Sequence, residues 1–239
     1  MANAVFFDLD GTLTDSGEGI MNCAILALNH FGITVENRDD LRVMIGPPLH
    51  HSMVRFGVPE DRADEAVAAF RSRYNTVGKF ENIPYPGIRD LLERLKAAGI
   101  RMFIATSKPE KTANEVLEHF GLSQYFEEIC GSTMDGSRST KEDVITYLFS
   151  KIGSVEEVVM VGDTTYDVLG AAAHGIKTIG VSWGYGEVAD MLDAGAIAIA
   201  DTTDELYDLI VTEQCHSEEQ RDKESQELLF ALDSSLHSE

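Results

Sequence analysis

Two closely spaced carboxylates near the N-terminus are the first residues of the sequence that could do chemistry. Asp8 and Asp10 come directly after the apolar run Val5–Phe7, and Gly11 follows them. A short aromatic and β-branched run that ends in turn residues predicts a buried strand, and ligands of doubly wound sheets bind just beyond such strand ends. Carboxylates this close repel unless a cation holds both ionised, which fits a metal site or a nucleophile beside a general acid. Taken alone, the pattern fits an ordinary acidic turn equally well.

A second set of polar residues follows the strand predicted over 100–105. The hydroxyl groups of Thr106 and Ser107 precede a predicted helix, where they could bind an anion or only cap the helix. Lys108 beside them could neutralise a phosphate, although a lysine at such a position is more often solvated. This segment is therefore a candidate anion site.

Lys141 begins the helix predicted over 141–152. A cation at this position opposes the helix dipole, at a cost of roughly a few tenths of a kcal/mol. Nearby carboxylates or a bound phosphate would make the position favourable, and a solvated lysine is the alternative. Arg138 is a second candidate for the cation that compensates these carboxylates or the phosphate.

Two further carboxylates follow the strand predicted over 158–161. Asp163 comes at the end of this strand, and Asp167 lies one turn into the next helix. Both would face the crevice near Asp8 and Asp10, although Asp163 could instead cap its helix. Four carboxylates at neighbouring strand ends require a hard divalent cation, and Mg²⁺ prefers such oxygen ligands. The sequence has no His/Cys cluster with the spacing of a zinc site.

The elements that must position these residues form two patterns. From residue 87 onward, helices alternate with short apolar strands, which predicts a doubly wound parallel α/β sheet. Residues 16–82 show only helical patterns and interrupt the sheet after its first strand. We therefore expect an α/β core over 1–15 and 83–212, a small inserted helical cap over 16–82 and an acidic tail over 213–239.

Composition limits the class of partner. The 239 residues include 19 basic and 41 acidic side chains, a net charge of −22 that disfavours nucleic acids and anionic membranes. The three cysteines lack pairing spacing, and the chain contains no leader pattern and no 18-residue apolar run. These features predict a soluble cytoplasmic protein that takes a small substrate. Its oligomeric state is not readable from the sequence.

The four segments together resemble the motifs of the haloacid dehalogenase superfamily. The matching residues, in order, are Asp8-Leu-Asp-Gly-Thr-Leu-Thr, Thr106 after a strand, Lys141, and Gly162-Asp-x-x-x-Asp167. Three further stretches are similar to the phosphoglycolate phosphatase and 5′-nucleotidase-like branch: Gly46-Pro-Pro-Leu, Ala105-Thr-Ser-Lys-Pro, and Thr178-Ile-Gly-Val-Ser-Trp-Gly-Tyr-Gly. The resemblance implies a Rossmann-like core with a small helical cap. Ser107 departs from the asparagine that many relatives in this branch carry.

The resemblance also implies roles for the residues that handle the phosphoryl group. Asp8 would attack phosphorus and form an aspartyl-phosphate. Asp10 would protonate the leaving alcohol and then activate the hydrolytic water. Thr106, Ser107 and Lys141 would bind the phosphoryl group, and Lys141 would also keep Asp8 ionised.

Mg²⁺ is the cofactor that the resemblance implies. Its ligands would be Asp8, the backbone carbonyl of Asp10, and Asp163, with Asp167 acting behind them or through water. Dehalogenase chemistry is disfavoured because it has no use for a carboxylate at position 10. Phosphonatase chemistry is disfavoured because Lys79, at the far end of the helical block, is its only lysine.

These observations predict a Mg²⁺-dependent phosphomonoesterase that acts on a small phosphorylated metabolite, phosphoglycolate or a nucleoside 5′-monophosphate. A phosphomutase, a pyrophosphatase and, from another class, a phospho-acceptor signalling module remain alternatives. Selectivity must come from the cap and its rim. The candidate residues there are arginines for a substrate carboxylate and aromatic residues for a base: Arg42, Arg55, Arg71 and Arg73, and Phe56, Phe80 and Tyr85.

Overall fold

A six-stranded parallel sheet lies at the centre of the computed structural model, which describes residues 4–153, 155 and 157–211. The strand order is β5-β4-β1-β6-β7-β8, and a separate antiparallel pair joins β2 to β3. The strands are β1 (Ala4–Phe7), β2 (Thr14–Asp15), β3 (Ile83–Pro84), β4 (Arg101–Pro109), β5 (Glu128–Ser132), β6 (Val158–Gly162), β7 (Lys177–Val181) and β8 (Ala198–Ala200).

Helices cover both faces of this sheet, because side chains along each strand point alternately to the two sides. Val5 and Phe7 of β1 pack against residues of α4 and α5, whereas Ala4 and Phe6 pack against residues of α6. The helices are α1 (Gly17–His30), α2 (Leu49–Arg55), α3 (Ala63–Tyr74), α4 (Ile88–Ala97), α5 (Glu110–His119), α6 (Lys141–Ile152), α7 (Thr165–Ala172) and α8 (Val188–Asp193), and residues 203–211 are also helical. The predicted doubly wound α/β class is confirmed.

The helices between β2 and β3 have an apolar cluster of their own. Leu28, Leu41, Met53 and Phe70 are among the buried side chains that this cluster collects from α1, α2, α3 and the 3₁₀ helix Arg38–Met44. We call this part of the chain the cap; its range 16–82 stays a prediction. The predicted tail, 213–239, lies outside the described residues.

One local prediction was wrong, and three short elements were not predicted. Within residues 16–82 the apolar spacing predicts one helix over 60–77, whereas the structure has a 3₁₀ turn, Glu60–Arg62, followed by α3, which ends at Tyr74. Strands β2 and β3 were not predicted, because two residues are too few to show a periodic pattern. Helix α8 was also missed: Met191 is its one buried residue, so its sequence shows no apolar stripe.

Candidate active site

The carboxyl ends of β1 and β6 bring Asp8 and Asp163 together. The two strands are parallel neighbours, with Phe7 opposite Val161, and the backbone N–H of Asp8 donates to the Val161 carbonyl at 2.9 Å. Because parallel strands end at one edge of the sheet, residues that follow them share a crevice. The predicted meeting of these carboxylates is what the structure shows.

Asp8, Asp163 and Asp167 form a buried cluster of three carboxylates. One oxygen from each lies within 4.8 Å of the others. Burial raises the pKa of Asp163 well above its ordinary value, and the charges of Asp167 and Asp8 add to this rise. Burial also raises the pKa of Asp167, although Lys141 acts in the opposite direction. The cluster therefore favours a cation between these side chains.

Lys141 supplies one positive charge to the cluster. Its Nζ lies 3.0 Å from Asp8 Oδ1 and 2.7 Å from Asp167 Oδ1, and it donates to the Ala105 carbonyl at 2.8 Å. Burial alone would lower the pKa of Lys141, but the charges of Asp167 and Asp8 outweigh it and the pKa lies above the ordinary value. Carboxylates thus compensate the cation at this helix start, as one of the two interpretations predicted.

The residues around Asp163 fix its carboxylate in place. Thr12 Oγ1 donates to Asp163 Oδ1 at 3.1 Å, and the Tyr185 backbone N–H donates to Oδ2 at 2.8 Å. A Cβ at Gly11 would lie 2.1 Å from Oδ2, and one at Gly184 would lie 2.2 Å from the Asp163 Cβ, so both positions require glycine. The carboxylate oxygens are thus oriented, and three ionised carboxylates beside the one ammonium of Lys141 leave two negative charges uncompensated. This arrangement fits a divalent cation of the Mg²⁺ type.

The side chain of Asp10 is held apart from this cluster. Lys108 Nζ donates to Asp10 Oδ1 at 2.8 Å and Oδ2 at 2.7 Å, and to the Tyr74 hydroxyl at 2.5 Å. Only 2% of the Lys108 side chain is exposed, so the expectation of a solvated lysine was wrong. The carboxylate of Asp10 can thus do different work from that of Asp8.

Thr106 and Ser107 lie within β4, which extends to Pro109 and thus past the predicted strand end at residue 105, and they do not cap α5. Helix α5 begins after Pro109, whose side chain makes no capping hydrogen bond. Thr106 is buried and its Oγ1 accepts from the Lys108 N–H at 3.2 Å, which leaves its hydroxyl proton available. Ser107 is half-buried. A phosphate-binding role for both stays a prediction.

Two competing interpretations can be settled from hydrogen bonds. Asp163 does not cap α7: Thr164 is the capping residue, and its N–H and hydroxyl both donate to Asp167 Oδ2. Arg138 does not serve Asp8, because its guanidinium bonds to Gly131 O and to the Glu110 carboxylate. Lys141 is therefore the cation that pairs with Asp8 in the described chain.

Sequence reasoning missed the residues that line the far side of Asp163. Trp183 Nε1 donates to the Thr12 carbonyl at 3.0 Å, and the Tyr185 hydroxyl donates to Asp15 at 2.6 Å. Both aromatic residues follow β7, so their position at a strand end was the available signal. They link the loop after β7 to the loop after β1.

A pocket of about 360 Å³ opens beside Tyr185, between the core and the cap. Its walls include three aromatic residues, Tyr85, Trp183 and Tyr185, and four charged residues, Asp15, Glu18, Arg38 and Arg42. Arg42 lies 5.7 Å from the centre of the Tyr185 ring. The pocket thus combines flat aromatic walls with charges of both signs, next to the residue whose backbone N–H donates to Asp163.

Comparison with known families agrees with this geometry. The model of the haloacid dehalogenase-like hydrolases matches residues 5–181. The chain belongs to this family. The sheet, the cap and the four predicted motif segments all fall within or beside the matched range.

Several relatives of the family are closely similar to this chain. Tyrosine-protein kinase PtkA of Mycobacterium tuberculosis is 45% identical over 210 residues, which cover 86% of this chain and 72% of that protein. A 5′-nucleotidase of Pseudomonas aeruginosa is 41% identical, with 76% and 83% covered. The crystal structure of a predicted phosphatase from Clostridium acetobutylicum is 42% identical, has a TM-score of 0.84, and covers 89% of this chain and 99% of that chain. The family's phosphatase and nucleotidase members are thus among the near relatives.

Throughout residues 4–153, 155 and 157–211, every helix is too short or too polar to cross a bilayer.

Proposed function

We propose that this phosphatase of the haloacid dehalogenase-like family hydrolyses small phosphomonoesters through a phosphorylated Asp8, with Mg²⁺ as cofactor. The observation that carries the proposal is the division of labour among the carboxylates. Asp8 lies against Lys141 and Asp163, whereas Asp10 is held separately by Lys108. A nucleophile and a proton-transfer group must be distinct residues in this reaction.

The chain's own residues account for both halves of the turnover. Asp8 attacks phosphorus, the bond from phosphorus to the leaving oxygen breaks, and Asp10 gives that oxygen its proton. Asp10 then accepts a proton from the water that attacks the aspartyl-phosphate, which releases phosphate and restores Asp8. Lys141, Thr106 and Ser107 hold the phosphoryl oxygens during both steps.

Mg²⁺ would be held by Asp8, the Asp10 carbonyl and Asp163, with Asp167 behind them. Bound there, it would supply charge neutralisation for the phosphoryl oxygens. The buried negative charge left after Lys141 supports this assignment.

The stabilising effect of Mg²⁺ should depend on pH. The pKa of Asp163 is higher in the folded protein than in the unfolded chain. This difference therefore stabilises the metal-free fold at low pH, and this stability is lost as pH rises through the raised pKa. Mg²⁺ binding needs the ionised form, so the increase in Tm that Mg²⁺ produces should be larger at about pH 7.5 than at about pH 5.

Thermal unfolding with Mg²⁺ or with a chelator, at both pH values, measures this difference. In Asp163→Asn, which cannot titrate, the increase should be small at both. An equal increase at both pH values in the wild-type protein would contradict the assignment.

For the substrate we favour a nucleoside 5′-monophosphate over phosphoglycolate. The pocket walls of Tyr85, Trp183 and Tyr185 can stack on a flat base, and Arg42 can meet a polar or anionic group. Among the other candidates, Arg73 pairs with Glu81. Phe80 packs against the His119 ring and Phe56 packs within the cap cluster, and neither lines the pocket. The 5′-nucleotidase relative supports the same choice.

A second candidate activity is phosphoryl transfer to protein tyrosine. The 45% identity to PtkA favours it, and an aspartyl-phosphate can pass its phosphoryl group to a hydroxyl as well as to water. A kinase of this kind would need ATP as donor and would leave phosphotyrosine as product.

We also place the activity in the cytoplasm. Cys23 and Cys130 are buried and free, which suits a reducing compartment.

A substrate panel separates these possibilities. Phosphate release from nucleoside 5′-monophosphates, phosphoglycolate, pyrophosphate and an aryl phosphate is measured with and without Mg²⁺ and compared as kcat/KM. A parallel reaction with ATP and a tyrosine peptide tests the kinase activity. The proposal expects Mg²⁺-dependent release, highest for the nucleotides. Transfer to the peptide without phosphate release would overturn it.

A further inference from the structure

Lys108 makes a complete set of hydrogen bonds to two parts of the molecule. A lysine ammonium has three N–H donors. In this structure the three acceptors are both oxygens of Asp10, in the core, and the Tyr74 hydroxyl, in the cap. The N–H groups of Lys108 are therefore fully used.

The arrangement is rigid on each side. Lys108 is buried, and its backbone N–H donates to Thr106 Oγ1. Tyr74 lies in the last turn of α3 and stacks on Phe70 with ring centres 5.2 Å apart. An ammonium that contacts both oxygens binds the carboxylate through charge-assisted hydrogen bonds, so Lys108 fixes the position of the Asp10 side chain.

We propose that Lys108 is a positioning residue for Asp10, and that its hydrogen bond to Tyr74 ties the position of Asp10 to the docking of the cap on the core. This inference rests on the proposed phosphatase reaction, in which Asp10 moves the proton. With the cap docked, Lys108 holds Asp10 in the position from which it would serve the leaving oxygen. A displacement of the cap that separated Tyr74 from Lys108 would remove one of the three hydrogen bonds of the ammonium. Proton transfer by Asp10 is thereby favoured while Tyr74 and Lys108 are in contact.

Removing Lys108 should slow proton transfer and spare the attack by Asp8. Asp8 is held by Lys141, which Lys108 does not contact. Leaving groups differ in their need for a proton: an alkyl phosphate requires one, whereas p-nitrophenolate leaves without it. The defect should therefore depend on the leaving group.

The test compares Lys108→Met, Lys108→Arg and Tyr74→Phe with the wild-type protein. For Lys108→Met we expect kcat/KM to fall about 10- to 100-fold with an alkyl phosphate and much less with p-nitrophenyl phosphate. The initial burst of p-nitrophenol should persist while its steady-state release slows, because hydrolysis of the aspartyl-phosphate also needs Asp10. Lys108→Arg should recover part of the loss, and Tyr74→Phe should show the same pattern with a smaller loss.

Lys79→Met is the matched control. Lys79 is also largely buried and joins the cap side to the core through Glu115 at 2.5 Å, yet it does not contact Asp10. It should show no dependence on the leaving group. In an Asp10→Asn background, Lys108→Met should cause no further loss, because the two changes act on one group.

Several results would overturn the inference. They are an equal loss with both substrates, an additive loss in the double variant, or a Tyr74→Phe protein that behaves as wild type. Failure of the underlying reaction would look different: the wild-type protein would release no phosphate, or Asp8→Asn would keep its activity.

Discussion

Asp8→Asn should lower kcat by at least about a thousandfold with every phosphomonoester, since the amide cannot form the aspartyl-phosphate. The substitution preserves shape and removes one of three clustered negative charges. The metal-free protein should therefore fold at least as stably as the wild type, because repulsion among the remaining carboxylates falls. Loss of activity with retained stability separates a chemical role from a structural one.

Phosphate release and trapping of the phosphorylated enzyme measure this prediction. Asp61→Asn is a suitable control, because Asp61 is an exposed residue of the cap. A phosphorylated intermediate that still forms in Asp8→Asn would show that another residue is the nucleophile.

Lys141→Met should combine a loss of activity with a large loss of stability. The change leaves Asp8 and Asp167 buried without their cation, and breaking such a pair typically costs about 3–5 kcal/mol. In chelator, the free energy of unfolding of the variant should lie well below that of the wild type at about pH 7. This difference should be smaller at about pH 5, because protonation neutralises the carboxylates. Mg²⁺ should also restore part of the stability.

Urea unfolding under these conditions, with Lys151→Met as control, tests this prediction. Lys151 lies on the same helix, α6, but is exposed. A Lys141→Met protein as stable as the control at neutral pH would show that the cluster does not need this cation.

The position of the carboxylate cluster could be predicted from the sequence because it depends on strand ends. Asp8 and Asp163 directly follow apolar runs, and parallel strands place such residues at one edge of the sheet. The unfavourable helix position of Lys141 likewise indicated a nearby negative charge. Each of these signals is local in the sequence.

The partners of Asp10 could not be predicted in this way. Tyr74 and Asp10 meet at Lys108 only because the cap docks on the core, and no periodic pattern records that docking. Tyr185 was missed for a similar reason: its backbone N–H, rather than its side chain, contacts Asp163. Backbone donors carry no residue-specific signal. The pocket between cap and core depends on the docking of the cap and on the backbone contact of Tyr185.

The small antiparallel pair of β2 and β3 has a consequence for how this molecule can change over evolutionary time. Thr14 pairs with Pro84 and Asp15 with Ile83, so the chain leaves and re-enters the core at adjacent points. The core thus holds the two ends of the intervening segment together. Each doubling of the length of that segment adds only about 0.6 kcal/mol to the entropic cost of closing it. Insertions of different size and surface can occupy this place while the sheet and its carboxylates stay unchanged. Exchange of this one contiguous segment would therefore change the cap side of the pocket and leave its core side, Tyr85, Trp183 and Tyr185, in place.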